Sequence, residues 1–214
     1  MKRVLLLAVI AITVIFAACV SAKEPTGVWV NKEKVQGKSF KSLFIIVMTA
    51  DIEVRVKLES DLAALATSRG LKAVKSVDAM PVDLANPRTP TKEEIIAKVK
   101  ESGCDGVFMS ALLKKEEGIR YTPGSETYSA LPYYTFVGSY WGFYTNYYTT
   151  VSTAAYFTND KTYFMLTNLY DVATDEMMWS AQSEIFSPSS LSSFSRSYMS
   201  TLMKQLEKEK LLKK

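Results

Sequence analysis

Between residues 42 and 113 the spacing of apolar residues switches between strand-like and helix-like, and this alternation restricts the fold more than any other feature of the chain. Ser42 to Thr49 is a short run rich in branched residues, which reads as a buried strand. Asp51 can cap a helix over Ile52 to Ser68, in which Leu58, Leu62, Leu65 and Ala66 fall at helical spacing, Glu59, Asp61 and Arg69 supply the wet face, and Gly70 is the stop. Leu71 to Val77 alternates imperfectly with lysines, as a half-exposed strand does. After a loop from Met80 to Pro90, Thr91 and Glu94 form a capping-box pattern for a helix to Ser102. Ile95, Ile96 and Val99 share one face of it, Gly103 ends it, and Val107 to Leu113 is a third strand. Strand, helix, strand, helix, strand implies right-handed crossovers between parallel neighbours in one sheet covered by helices.

The second half follows another rule. Val151 to Phe157, Thr162 to Val172 and Met177 to Phe186 are β-rich runs separated by polar turns, the pattern of an antiparallel meander. Phe164, Leu166, Asn168 and Tyr170 alternate with Tyr163, Met165, Thr167 and Leu169, so the two faces differ, one of them core. From Ser187 to Ser190 a serine-rich turn opens a last helix with Leu191, Phe194, Tyr198, Leu202 and Gln205 or Leu206 on one stripe. It ends in a solvated tail of Lys and Glu from Lys204 to Lys214. The predicted fold is therefore α/β: a mixed sheet in two or three layers, βαβαβ first, an antiparallel meander second, and a C-terminal helix.

Residues 121–150 interrupt this scheme. They hold 11 of the 25 aromatic residues, among Ser, Thr, Gly and Pro. A connection that long inside a compact domain is uncommon unless it is functional or disordered. Tyr133, Tyr134, Tyr140, Trp141, Tyr144, Tyr147 and Tyr148 are the candidate binding residues, because Tyr and Trp bury much area with little entropy loss and keep a polar handle. Three readings stand: packing or self-association, contact with a protein partner, and stacking on glycan rings.

The N-terminus reads as an export leader. Lys2 and Arg3 precede an apolar run from Val4 to Phe16, shorter than the roughly 20 residues of a spanning helix, and the run ends in Ala17 and Ala18. Phe16-Ala17-Ala18-Cys19 resembles the lipobox of bacterial lipoproteins, with Phe16 where Leu is usual. That resemblance implies cleavage after residue 18, lipid on Cys19, and a membrane-held protein of the cell envelope. Val20 and Ser21 resemble the context that sorts such proteins to the outer membrane, facing the periplasm. Several acyl chains on one residue would hold the domain stably at the membrane. Residues 19–41 then serve as a lipidated tether in which Val28-Trp29-Val30 can add an edge strand, and residues 42–214 as one domain.

Charge and chemistry narrow the function. Without Lys2 and Arg3 the 26 basic residues fall to 24 against 22 acidic ones, so no electrostatic case for nucleic acid exists. With Cys19 lipidated, Cys104 is the one remaining thiol; it reads as a small buried hydrophobe and can form no internal disulfide. The chain has no histidine, which removes Ser-His and Cys-His nucleophile pairs and imidazole metal sites. Met48-Thr49-Ala50-Asp51, the turn after the first strand, has no glycine and so lacks a nucleotide-binding fingerprint. The paired acids Glu116 and Glu117, or Asp171 and Asp175, read as ordinary surface groups, and nothing marks one serine of Ser187 to Ser193 as a nucleophile. Neither enzyme activity nor a cofactor is expected.

Asn168-Leu169-Tyr170-Asp171-Val172-Ala173-Thr174-Asp175-Glu176-Met177-Met178-Trp179-Ser180 resembles a block of uncharacterised bacterial envelope lipoproteins, in which a Tyr-rich insertion precedes two strands joined by an Asp-x-x-Thr-Gly-Lys turn. Asp175 stands where that turn has glycine. Such domains are similar in fold to the N-terminal domain of the Tol-system periplasmic protein and to lipoprotein activators of peptidoglycan synthases. The resemblance implies an accessory protein that binds an envelope protein; a peptidoglycan- or glycan-binding lipoprotein and a self-associating structural one are the alternatives.

Overall fold

The computed structural model describes residues 27–35, 37–49, 51–81, 90–117, 139–141, 161–186 and 188–211. In chain order the elements are β1 (Gly27–Val30), α1 (Lys32–Val35), β2 (Ser42–Met48), α2 (Ile52–Ser68), β3 (Lys72–Lys75), α3 (Ser76–Ala79), α4 (Lys92–Ser102), β4 (Gly106–Glu117), β5 (Lys161–Asp171), β6 (Met177–Phe186) and α5 (Leu191–Lys208). The six strands form one mixed sheet in the order β1-β6-β5-β4-β2-β3. β2 runs parallel to β3 and β4, and the remaining pairs are antiparallel.

This topology explains the layers. The β2-α2-β3 crossover moves to one side of β2, and the β3-α4-β4 crossover moves back past it, so a common right hand puts the two helices on opposite faces. Leu43, Ile45 and Val47 of β2 accordingly join α2 and α5 in one core cluster. Phe44, Ile46 and Met48 point the other way, to Ile95 and Val99 of α4. All seven residues of β2 are buried, as expected of a parallel strand covered on both faces. The domain is a three-layer α/β/α arrangement.

Local signals place the helices. Asp51 Oδ1 accepts the Glu53 and Val54 N–H groups at 3.0 and 3.1 Å, capping α2. Thr91 and Glu94 form the reciprocal capping box of α4, which ends at Gly103 in the left-handed region, φ +64°. On α5 the buried stripe is Phe194, Tyr198, Leu202 and Leu206.

Several expectations need correction. The second strand stops at Lys75, because Ser76 and Val77 turn into α3, where the Ser76 hydroxyl and Val77 N–H bond the Glu59 carboxylate at 2.6 and 2.9 Å. Glu59 itself lies on no wet face: it is fully buried and also accepts from Val47 N–H at 3.0 Å and Arg55 Nε at 3.2 Å. β4 runs on to Glu117, beyond the expected end at Leu113, because β5 pairs with it out to Lys161. At the other edge of the sheet, β1 is the edge strand expected at Val28-Trp29-Val30, lengthened by Gly27 and paired with β6 from Gly27↔Gln182 to Val30↔Trp179. The C-terminal tail is not wholly solvated: Leu211 is buried, and its carbonyl accepts from Phe40 N–H at 3.3 Å. In β5 both faces are core, with Met165 and Leu169 toward α5 and Leu166 and Tyr170 toward the α4 side. Residues 1–26, with the leader and Cys19, and the run Val151 to Phe157 lie outside the described residues.

Candidate functional site

The aromatic insertion leaves β4 at Glu117 and rejoins the sheet at Lys161, two residues that face each other across neighbouring antiparallel strands. A two-residue turn would close such a pair. Of the seven candidate binding residues, Tyr133, Tyr134, Tyr144, Tyr147 and Tyr148 lie outside the described residues, and Tyr140 and Trp141 lie within them.

Tyr140 is not presented to solvent. It is 6% exposed, and its ring meets Tyr170 edge-on at 6.3 Å between centroids. Its backbone N–H donates to Asp175 Oδ1 at 3.2 Å. Trp141, half-buried, packs against the same α4-side cluster. Tyr170 stands nine residues along β5 from Lys161, so Tyr140 is held roughly 30 Å from the point where the insertion rejoins the sheet. Tyr140 thereby has a structural role, fastening the chain at this point to the β5–β6 hairpin.

That hairpin is built to receive it. Asp171 is buried, ion-paired to Lys38, and accepts from Thr174 N–H at 2.9 Å and Thr174 Oγ1 at 3.2 Å. The five-residue connection Val172 to Glu176 brings Asp175 into the left-handed region at φ +57°. Asp tolerates this conformation better than most side chains, so the hairpin survives the absence of the glycine. Burial raises the Asp175 carboxyl above its usual range, opposed by the Tyr140 N–H, the Lys92 charge and the Ser139 side chain. Burial and the Asp175 charge raise the Tyr140 phenol, and burial raises that of Tyr170, against a hydrogen bond from Asn168 Nδ2 at 2.9 Å.

The opposite face carries a feature absent from the sequence reading, a groove of about 550 Å³ between α2 and α5. The helices run in the same direction, with Ser195 beside Asp61 and Glu207 beside Arg69. Lys57, Asp61, Leu65 and Arg69 form one wall and Ser192, Arg196, Ser200 and Lys204 the other, each set spaced every four residues and hence on one ridge of its helix. Met199 and Met203, both buried, form the floor. Ser195 Oγ donates to Asp61 Oδ2 at 2.5 Å, and Lys57 pairs with the same carboxylate. Burial would raise the Asp61 carboxyl, but the Lys57 and Ser195 hydrogen bonds and the Lys57 charge prevail and hold it below its usual range. The walls could have been read from the two four-residue spacings; that they face each other could not.

Among the described residues no cluster of acids and Cys104 is arranged to hold a metal ion, and Cys104 is buried. No described helix is long and apolar enough to cross a membrane. The class defined is thus a three-layer α/β domain with a mixed sheet, Tyr140 and Trp141 packed on one face and a cationic groove on the other. No family model and no curated protein matches the chain. Among solved structures it is similar to a PelC dodecamer from Paraburkholderia phytofirmans, at 15% identity over 82% of this chain and 90% of that one, with a TM-score of 0.42. It is similar to the lipoprotein GNA1162 from Neisseria meningitidis at 15% identity over 78% and 96%, with a TM-score of 0.40. The C-terminal domain of LpoB from Escherichia coli gives 13% identity over 73% and 95%, with a TM-score of 0.36. At these identities and overlaps no role of those proteins transfers to this chain.

Proposed function

We propose that this chain is a lipid-anchored accessory protein of the cell envelope, non-enzymatic, that binds a protein partner through its aromatic insertion. The observation that carries this reading is the mounting of the insertion. β4 and β5 need only a tight turn, yet the chain spends residues 118–160 between them and fastens that segment at Tyr140, far along β5. Fixing the chain at Tyr140 lowers the ordering cost that binding through the insertion would carry. The anchor half of the proposal rests on the leader and on Cys19: Gly27 stands eight positions after Cys19, so an acylated Cys19 would keep β1 within about 28 Å of the membrane.

Two experiments test the two halves. Cys19→Ser will abolish the mass increment of the acyl chains and release the protein from membranes; retention with unchanged intact mass would refute the anchor. A photoreactive residue at Tyr144 will give a discrete adduct to another envelope protein. Glycan adducts would transfer the domain to the cell-wall class, and self-adducts alone would make the insertion an oligomer contact.

A further inference from the structure

We infer that the groove between α2 and α5 docks an acidic amphipathic helix of the protein partner, an inference that rests on the partner-binding reading and adds the chemistry of what is bound. Shape is the first ground. Two ridges of i, i+4 side chains with a recessed floor between them accept the ridge of a third helix, which would complete a helical layer over the sheet. The floor suits such a guest, since Met199 and Met203 are unbranched and polarisable and adapt to the residues laid on them.

Charge is the second ground. Lys57 is neutralised by Asp61 and Arg69 by Glu207. Arg196 and Lys204 are exposed on the opposite wall and have no ion-pair partner among the described residues. Eight residues apart on one helix, they stand about 12 Å apart along its axis. A guest helix with carboxylates seven or eight residues apart would meet both, while the apolar residues between those carboxylates lie over the methionines. An anionic membrane fits less well, because a flat surface would touch the ridge tips and leave the recessed floor uncovered.

The test places a photoreactive residue at Ser200 in the full-length chain, in the cells that make it, beside the Tyr144 probe. The Ser200 adduct will map by mass spectrometry to a helical segment with acidic residues seven or eight apart. Its yield will fall about tenfold in the Arg196→Glu, Lys204→Glu variant and stay within about twofold in the Arg196→Lys, Lys204→Arg variant, since rim charges act through attraction that both cations supply. Both residues are exposed, so the reversal variant will melt as the parent does. A lipid adduct, a cross-linked segment without acids, a yield unmoved by charge reversal, or no Ser200 adduct while Tyr144 gives one would overturn the inference. Absence of protein adducts from both positions would instead refute the partner-binding reading.

Discussion

Replacing Glu59 by Ala will cost about 4 kcal/mol of stability, because it strands a buried guanidinium as well as removing a carboxylate. Glu59 is fully buried and satisfies four donors: the N–H groups of Val47 and Val77, the Ser76 hydroxyl and Arg55 Nε. Arg55 is 8% exposed and keeps only its Nη2 bond to Ser76 Oγ at 2.7 Å once Glu59 is gone. Breaking a buried pair from one side costs roughly 3 to 5 kcal/mol, whereas removing both charges together is often close to neutral. Glu59→Ala will therefore lower the melting temperature by about 8 to 16 °C, at roughly 2 to 4 °C per kcal/mol for a domain of this size. The double variant Arg55→Met, Glu59→Leu will recover at least about 2 kcal/mol of that loss, short of full recovery because the Val47 and Val77 N–H groups remain unpaired. Urea unfolding followed by the fluorescence of buried Trp179 reads both values, with the m-value unchanged in each variant. A single-variant loss under about 1 kcal/mol, or a double variant no more stable than the single, would refute the view that Arg55 needs Glu59 as its counter-ion.

Tyr198→Phe will cost about 1 to 2 kcal/mol in the same assay. The fully buried Tyr198 hydroxyl donates to Ser110 Oγ at 2.7 Å and contacts Thr167 Oγ1, and its loss leaves those two only a 3.4 Å contact with each other. Gly106→Ala will cost about 1 to 3 kcal/mol by overpacking, as an added Cβ would lie 2.7 Å from Phe40 Cδ1 and 2.9 Å from Leu43 Cδ2; equal stability would show that Phe40 can move. Asp175→Asn will raise the melting temperature at pH 7. The raised carboxyl of Asp175 makes the folded state bind its proton more tightly than the unfolded chain, so stability is lost as pH rises from the ordinary value of 3.8 through the folded value. Asn keeps an acceptor for Tyr140 N–H and tolerates φ +57°, so the gain will vanish below about pH 4; a variant destabilised at pH 7 would refute this sign.

What the sequence determined by itself is what local physics controls. Asp51, Thr91 with Glu94, and Gly103 place helix ends because a cap is a contact within three or four residues. The change of period between residues 42 and 113 implies the parallel core, since a crossover helix leaves few topologies open. Cys104 as a buried hydrophobe was legible from its place at the start of a strand.

Only the tertiary structure decided the rest, because the same residue types serve opposite ends according to what lies across from them. Glu59 and Asp61 are two residues apart on one helix and look alike in sequence; one is buried against Arg55 and Ser76, and the other faces a groove. Tyr140 looked like its aromatic neighbours until the β5–β6 hairpin put Tyr170 and Asp175 against it. Lys204 reads in sequence only as the start of a solvated tail and Arg196 belongs to no motif; they form a cationic wall only because packing on one sheet sets α5 beside α2. Contacts between residues more than a hundred positions apart, such as Ser195 with Asp61, leave no periodic trace in the chain; they arise from strand order, which the whole fold sets.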